Sequence, residues 1–167
     1  MTARGSYSRW LPVTPGFTLV ELVVVMVVVG VLAIGVLPRF LARADLDARG
    51  FFDATESVLR YAQKSAIAQR RNVCVAFSAA GAAPTTVTLT IASAAVGPCD
   101  TPLTGPTGVA PHQAVAAAGV AFVGPPAYPA NFVFLASGSA SLTQTFSVTG
   151  LAGRVGTVEA ATGYVHH

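Results

Sequence analysis

Glu21 is the only ionisable side chain between Arg9 and Arg39. An unpaired charge in so apolar a stretch costs roughly 3 kcal/mol, so this carboxylate needs a cation or an aqueous interface near a helix end. Cys74 and Cys99 are the only cysteines, able to join each other or, with His112, to form part of a metal site. Their spacing matches no zinc pattern, so no metal is expected. His166 and His167 read as a frayed end without a metal role. From residue 72 onward the only Asp, Glu, Lys or Arg residues are Asp100, Arg154 and Glu159. With so few acids and no base beside any serine, catalysis lacks its minimum constellation, and no enzyme activity is expected. No glycine-rich loop ending in a lysine is present, so neither nucleotide nor other cofactor is expected.

The elements that hold these residues follow from periodicity. Residues 17–37 are nearly all Val, Leu, Ile, Ala, Gly, Phe or Met. As a helix they span about 30 Å, the thickness of a bilayer's hydrocarbon core. The valine runs at 23–25 and 27–29 are poor helix formers in water, but lipid forces backbone groups to pair internally. A cleaved secretory signal fits poorly, because the apolar core is too long and holds an acid. A plain signal anchor leaves Glu21 unexplained.

From 39 to 71 the apolar positions Phe51 or Phe52, Thr55, Val58 or Leu59, Ala62, Ala66 and Ile67 recur at helical spacing. Asp53, Glu56, Arg60, Lys64 and Arg70 mark the solvated face. Pro38 removes a helical hydrogen bond and should kink or loosen the helix, and Gly50 is a second weak point. The net charge of +3 does not indicate nucleic acid, since seven of the ten basic residues lie at 39–71 among four acids.

Gly-Phe-Thr-Leu-Val-Glu at 16–21, after a short basic leader, resembles the class III signal of type IV pilins and type II secretion pseudopilins. The resemblance implies cleavage between Gly16 and Phe17 by a prepilin peptidase and N-methylation of Phe17. It makes Glu21 the family's acid at the fifth mature position and Pro38 the family's first-helix proline. Glu21 of one subunit would then meet the terminal ammonium of a neighbour, a register pin strengthened by low dielectric. The leader departs from the pattern in its length and in having no Lys or Arg beside Gly16. Arg4 and Arg9 balance Arg39 and Arg43, so charge alone does not orient the segment.

Past 71 the period falls to two. Val73, Val75 and Phe77 alternate with smaller or polar residues, as do Val87, Leu89 and Ile91, with a turn at 81–84. Residues 97–111 read as a loop, and further strands are expected at 120–123, 132–135, 145–148, 155–159 and 164–165. The expected fold is α+β and type IV pilin-like, a long N-terminal helix packed on an antiparallel sheet. The expected order is a leader at 1–16, a transmembrane and assembly helix at 17–38, an amphipathic helix at 39–71 and a periplasmic β-rich head at 72–167. In an exported head Cys74 and Cys99 should pair, closing a loop worth about 3 kcal/mol.

Residues 59–71 resemble the helix end of minor pilins related to the H-type pseudopilin. Stretches 48–52 and 157–166 resemble the minor pilin of the mannose-sensitive haemagglutinin (MSHA) pilus system. The resemblance implies a minor pilin that primes or caps a pilus, starting in the inner membrane and ending at the cell surface. Its partners would be major and minor pilins, prepilin peptidase and an inner-membrane assembly platform. A type II secretion minor pseudopilin is the alternative. A DNA-uptake pilin is disfavoured, because late in the head Arg154 stands alone.

Overall fold

A computed structural model describes residues 16–78, 83–95, 97–124 and 128–167, with the backbone alone described at 33–42. The leader up to residue 15 and the first two residues of the expected 81–84 turn lie outside the described residues. So does the side chain of Pro38, whose backbone is helical. The chain forms two compact units, Met1–Arg39 and Phe40–His167.

Helix α1 (Leu19–Gln69) opens in the first unit. Its large apolar side chains there, from Leu19 to Leu32, are exposed. Among the described residues no helix is long and apolar enough to cross a membrane. The described side chains of the apolar stretch stop at Leu32, so a span over 17–38 remains an expectation of the sequence.

In the second unit α1 buries Ala48, Phe51, Phe52, Thr55, Val58, Leu59, Ala62 and Ala66, a stripe repeating every three to four residues. Buried Thr55 satisfies its hydroxyl by donating to the Phe51 carbonyl at 2.8 Å. Two expectations fail on this helix. Ile67 is 49% exposed, and Glu56 is buried. The reason for Glu56 is tertiary, because Arg60 and His167 supply it with partners.

The helix ends in a Schellman motif. Arg71 N–H donates to the Ala66 carbonyl at 3.2 Å, and Arg70 N–H to that of Ile67 at 3.3 Å. Arg70 has a φ of 51°, a conformation in which glycine is the usual residue.

Among the described residues nine strands follow, all paired antiparallel. They are β1 (Val73–Ser78), β2 (Thr86–Ala92), β3 (Cys99–Pro102), β4 (Gln113–Val115), β5 (Phe122–Val123), β6 (Phe132–Phe134), β7 (Gln144–Val148), β8 (Gly156–Val158) and β9 (Val165–His166). One sheet has the order β3-β2-β1-β6, with β4 also pairing β2, and the other runs β5-β7-β8-β9. Strand β3 lies inside the stretch expected to be a loop, and β4 just beyond it.

The sheet β5-β7-β8-β9 meets the helix through aromatic rings. Phe51 sits 4.8 Å from Phe122, and Phe52 sits 5.2 Å from Phe146. Gly156 leaves room for this packing, since a Cβ there would run into the Phe146 ring. Cys74 and Cys99 form the expected disulfide, tying β1 to β3 with a Cα–Cα distance of 6.0 Å. The fold is α+β, a helix packed on antiparallel sheets.

Candidate functional site

In the first unit, Gly16 has open space where a side chain would stand, and Phe17 is 81% exposed. Thr18 starts the helix. Its hydroxyl accepts from Glu21 N–H at 3.2 Å, and its carbonyl accepts from Leu22 N–H at 3.1 Å. Thr18 and Glu21 thus occupy the first and fourth places of a Thr-x-x-Glu capping box. The sequence reading missed Thr18, although that four-residue pattern is visible in the sequence itself. The placement sets the Glu21 carboxylate in the first helical turn, where the unpaired N–H groups favour negative charge. Phe17, Leu22, Val25 and Met26 line an apolar groove of about 280 Å³ on the same turns. The site therefore combines an unhindered glycine, a projecting aromatic and an acid one turn later on an apolar helix.

In the second unit the charges converge instead. The side chain of Glu56, only 9% exposed, receives Arg60 at 2.5 Å and His167 Nδ1 at 3.3 Å. Arg60 also donates to the Val165 carbonyl at 3.3 Å. Arg154 pairs with Asp53 at 3.1 Å, stands 4.6 Å over the Phe52 ring and lies 3.4 Å from His167 Nε2. These groups, with Ser57, Tyr61 and Lys64, line a groove of about 460 Å³.

The end of the chain is therefore not frayed. His167 is held edge-on to Phe52, and His166 stacks on Tyr164 and lies 3.5 Å from Glu159. Arg154, the cation considered for DNA, is already engaged by an acid and an aromatic face.

His112 packs edge-on against Tyr61, whose hydroxyl donates to the Thr104 carbonyl at 2.7 Å. Burial pushes the imidazole's pKa below its ordinary value. Hydrogen bonds from Ser93 hold the Asp100 carboxyl below the usual aspartate value, with Thr101 adding a further bond. Because the two cysteines bond each other, neither is free to join His112 at a metal. Among the described residues no cluster of His, Cys, Asp or Glu could hold one.

This geometry defines a class of fold: one long helix with an apolar start, packed further along on two small antiparallel sheets. Residues 15–37 match the family described as the prokaryotic N-terminal methylation motif. Among solved structures, the chain is similar to the type IV minor pilin FimU of Pseudomonas aeruginosa (strain PAO1). The match has 20% identity, covers 76% of this chain and 90% of that one, and has a TM-score of 0.52. It is also similar to EpsH, the minor pseudopilin of the Type 2 Secretion System of Vibrio cholerae. There the identity is 16%, the coverage is 72% of this chain and 94% of that one, and the TM-score is 0.52. No curated protein matches the chain. The fold is pilin-like, and the methylation motif stands at its N-terminal end.

Proposed function

We propose that this chain is a minor pilin: a structural subunit, not an enzyme, that primes or caps a type IV pilus of the MSHA kind. The carrying observation is the methylation motif at 15–37, set where a capped apolar helix begins, on a chain with a pilin-like fold. Prepilin peptidase cuts between Gly16 and Phe17, and Phe17 becomes the N-methylated first residue. The first helical half anchors the precursor in the inner membrane, with the head in the periplasm. Glu21 pairs with the terminal ammonium of a neighbouring pilin, because a misplaced subunit would leave a charge buried alone. Pro38 loosens the helix between its two halves. An assembly platform in the inner membrane supplies the work of extraction.

A second reading, a minor pseudopilin of a type II secretion system, is supported by an equal TM-score to EpsH. Deletion that removes surface pili favours the first reading, and deletion that stops protein secretion favours the second. A DNA-uptake role finds no support, since Arg154 is bound by Asp53.

Mass spectrometry of the membrane fraction tests the core of the proposal. The mature chain should begin at an N-methylated Phe17, and Gly16→Ala should accumulate the uncut precursor. A different mature N-terminus, or normal processing of Gly16→Ala, would refute it.

A further inference from the structure

The outer strands of the two sheets differ in what their free edges offer. In β3, Pro102 has no N–H to give and Asp100 adds a charge. Val133 in β6 spends both backbone groups on Ser141, donating to its hydroxyl at 3.0 Å and accepting from its N–H at 2.8 Å. At β5 the Phe122 N–H goes to the Pro84 carbonyl at 2.8 Å, and at β9 the Val165 carbonyl accepts from Arg60 at 3.3 Å. Such devices keep another chain from pairing at an edge.

Strand β4 has none of them. Residues along an antiparallel strand alternate between bonding their partner strand and turning their backbone groups away from it. Leu89 N–H donates to the His112 carbonyl at 3.0 Å, and Ala116 N–H to the Thr85 carbonyl at 2.9 Å. With Thr88 opposite Gln113 and Thr86 opposite Val115, that phase turns the N–H and C=O of Gln113 and Val115 outward, away from β2. Neither residue has a further hydrogen bond among the described residues, and both are exposed, Val115 by 60%. No Asp, Glu, Lys or Arg lies between Asp100 and Arg154 to repel a visiting strand.

We propose that the outer edge of β4 receives an extended, uncharged segment of a different protein as an added strand. The outward groups of Gln113 and Val115 supply the affinity, since they repeat at the two-residue spacing of a strand ladder. The exposed Val115 side chain selects an aliphatic or aromatic residue beside it on the visiting strand. A second copy of this chain fits poorly. Pairing β4 with β4 antiparallel is a closed two-fold contact that reverses one copy, whereas chains anchored in one membrane keep a common direction. The other edges that a copy could offer are engaged or blocked. This deepens the proposed function and rests on it for that choice of partner, giving the head a means of holding a neighbour that does not involve α1.

The test places a photo-crosslinking phenylalanine analogue at Val115 of the full-length chain in whole cells, with leader processing followed on the same gel. An adduct with another protein is expected, its second site mapping by mass spectrometry to a segment free of Asp, Glu, Lys and Arg. Its yield should hold as salt is raised, because no charge pair carries the contact. Gln113→Pro removes one outward N–H and no bond to β2, so it should cut the yield about fivefold, the worth of one typical backbone hydrogen bond. Its thermal melt should match that of the parent chain, and Gln113→Ser should keep the yield within about twofold. Gln113→Lys leaves the backbone whole and adds an edge charge, so it should lower the yield even if the proline variant fails to fold. An adduct with a second copy alone, an adduct mapping to a charged segment, no adduct, or proline and lysine variants without effect overturns the added strand. With processing normal in that case, the minor-pilin reading stands; failed processing of the parent chain overturns that reading and the choice of partner with it.

Discussion

Glu21 and Glu56 lie on one helix and meet opposite circumstances. Glu56 is enclosed by Arg60 and His167, with the Phe52 ring holding Arg154 and His167 beside it. Glu21 has its own backbone N–H capped by Thr18, and it stands among exposed valines and leucines. From Leu19 to Leu32 the helix thus presents an apolar surface with one acid in it, whereas from Ala48 to Ala66 it buries a stripe in the head. The contrast teaches that position on one helix does not decide an acid's surroundings, since only Glu56 is enclosed by the head. Glu56 completes a fold, whereas Glu21 has no ion pair among the described residues, and the proposed function gives it a group outside this chain.

The largest test of that contrast is on packing. Phe52→Ala should cost about 3–5 kcal/mol, through lost burial and the cavity left against Phe146. Val24→Ala, on the exposed half, should leave the head's stability within about 0.5 kcal/mol. Denaturant unfolding of the detergent-solubilised chain measures both, and similar losses would erase the distinction.

A middle-sized effect separates the two roles of Glu21. Glu21→Gln keeps an amide able to serve the capping box but removes the charge. Filament incorporation, measured by immunoblot of sheared filaments, should fall about tenfold, the equivalent of ~1.4 kcal/mol, with processing intact. Normal incorporation of Glu21→Gln with a defect in Glu21→Ala would assign the residue to the cap instead.

The smallest effect is a pH dependence confined to the head. Burial lowers the folded-state pKa of His112, so the unfolded chain binds more protons as pH falls. The stabilising neutral form is complete above the ordinary value of 6.5, and stability is lost as pH falls through it. Thermal melts at pH 7.5 and 5.5 should differ by less in His112→Gln than in the parent chain. An unchanged difference would remove His112 as the cause.

Much of this molecule is legible in its sequence. The period of 3.6 over 48–66 and the period of two in β1 and β2 each mark a face that must be buried. The pairing of Cys74 with Cys99 follows once the head is read as exported. Strand β3 is not legible, because Cys-Asp-Thr-Pro has no apolar alternation and Thr101 is its one β-branched residue, beside a proline. It is a strand because β2 offers an edge and the disulfide holds it there. Glu56 reads as part of the solvated face because its helical position says nothing about a histidine 111 residues later folding back onto it. The Thr18 cap is legible in principle, since it needs only the acid three residues on, but the apolar run around it carries the stronger signal.

By itself the sequence determined the local quantities: where the apolar run lies, where its acid falls, where the helix can start and which strands alternate. Those depend on neighbours a few residues apart, whose chemistry is written in order along the chain. Tertiary structure alone decided the order of the sheets, the enclosure of Glu56, the capture of Arg154 and the anchoring of the last two histidines. Each of those depends on groups distant in sequence meeting in space, where burial and pairing energies exceed any local preference.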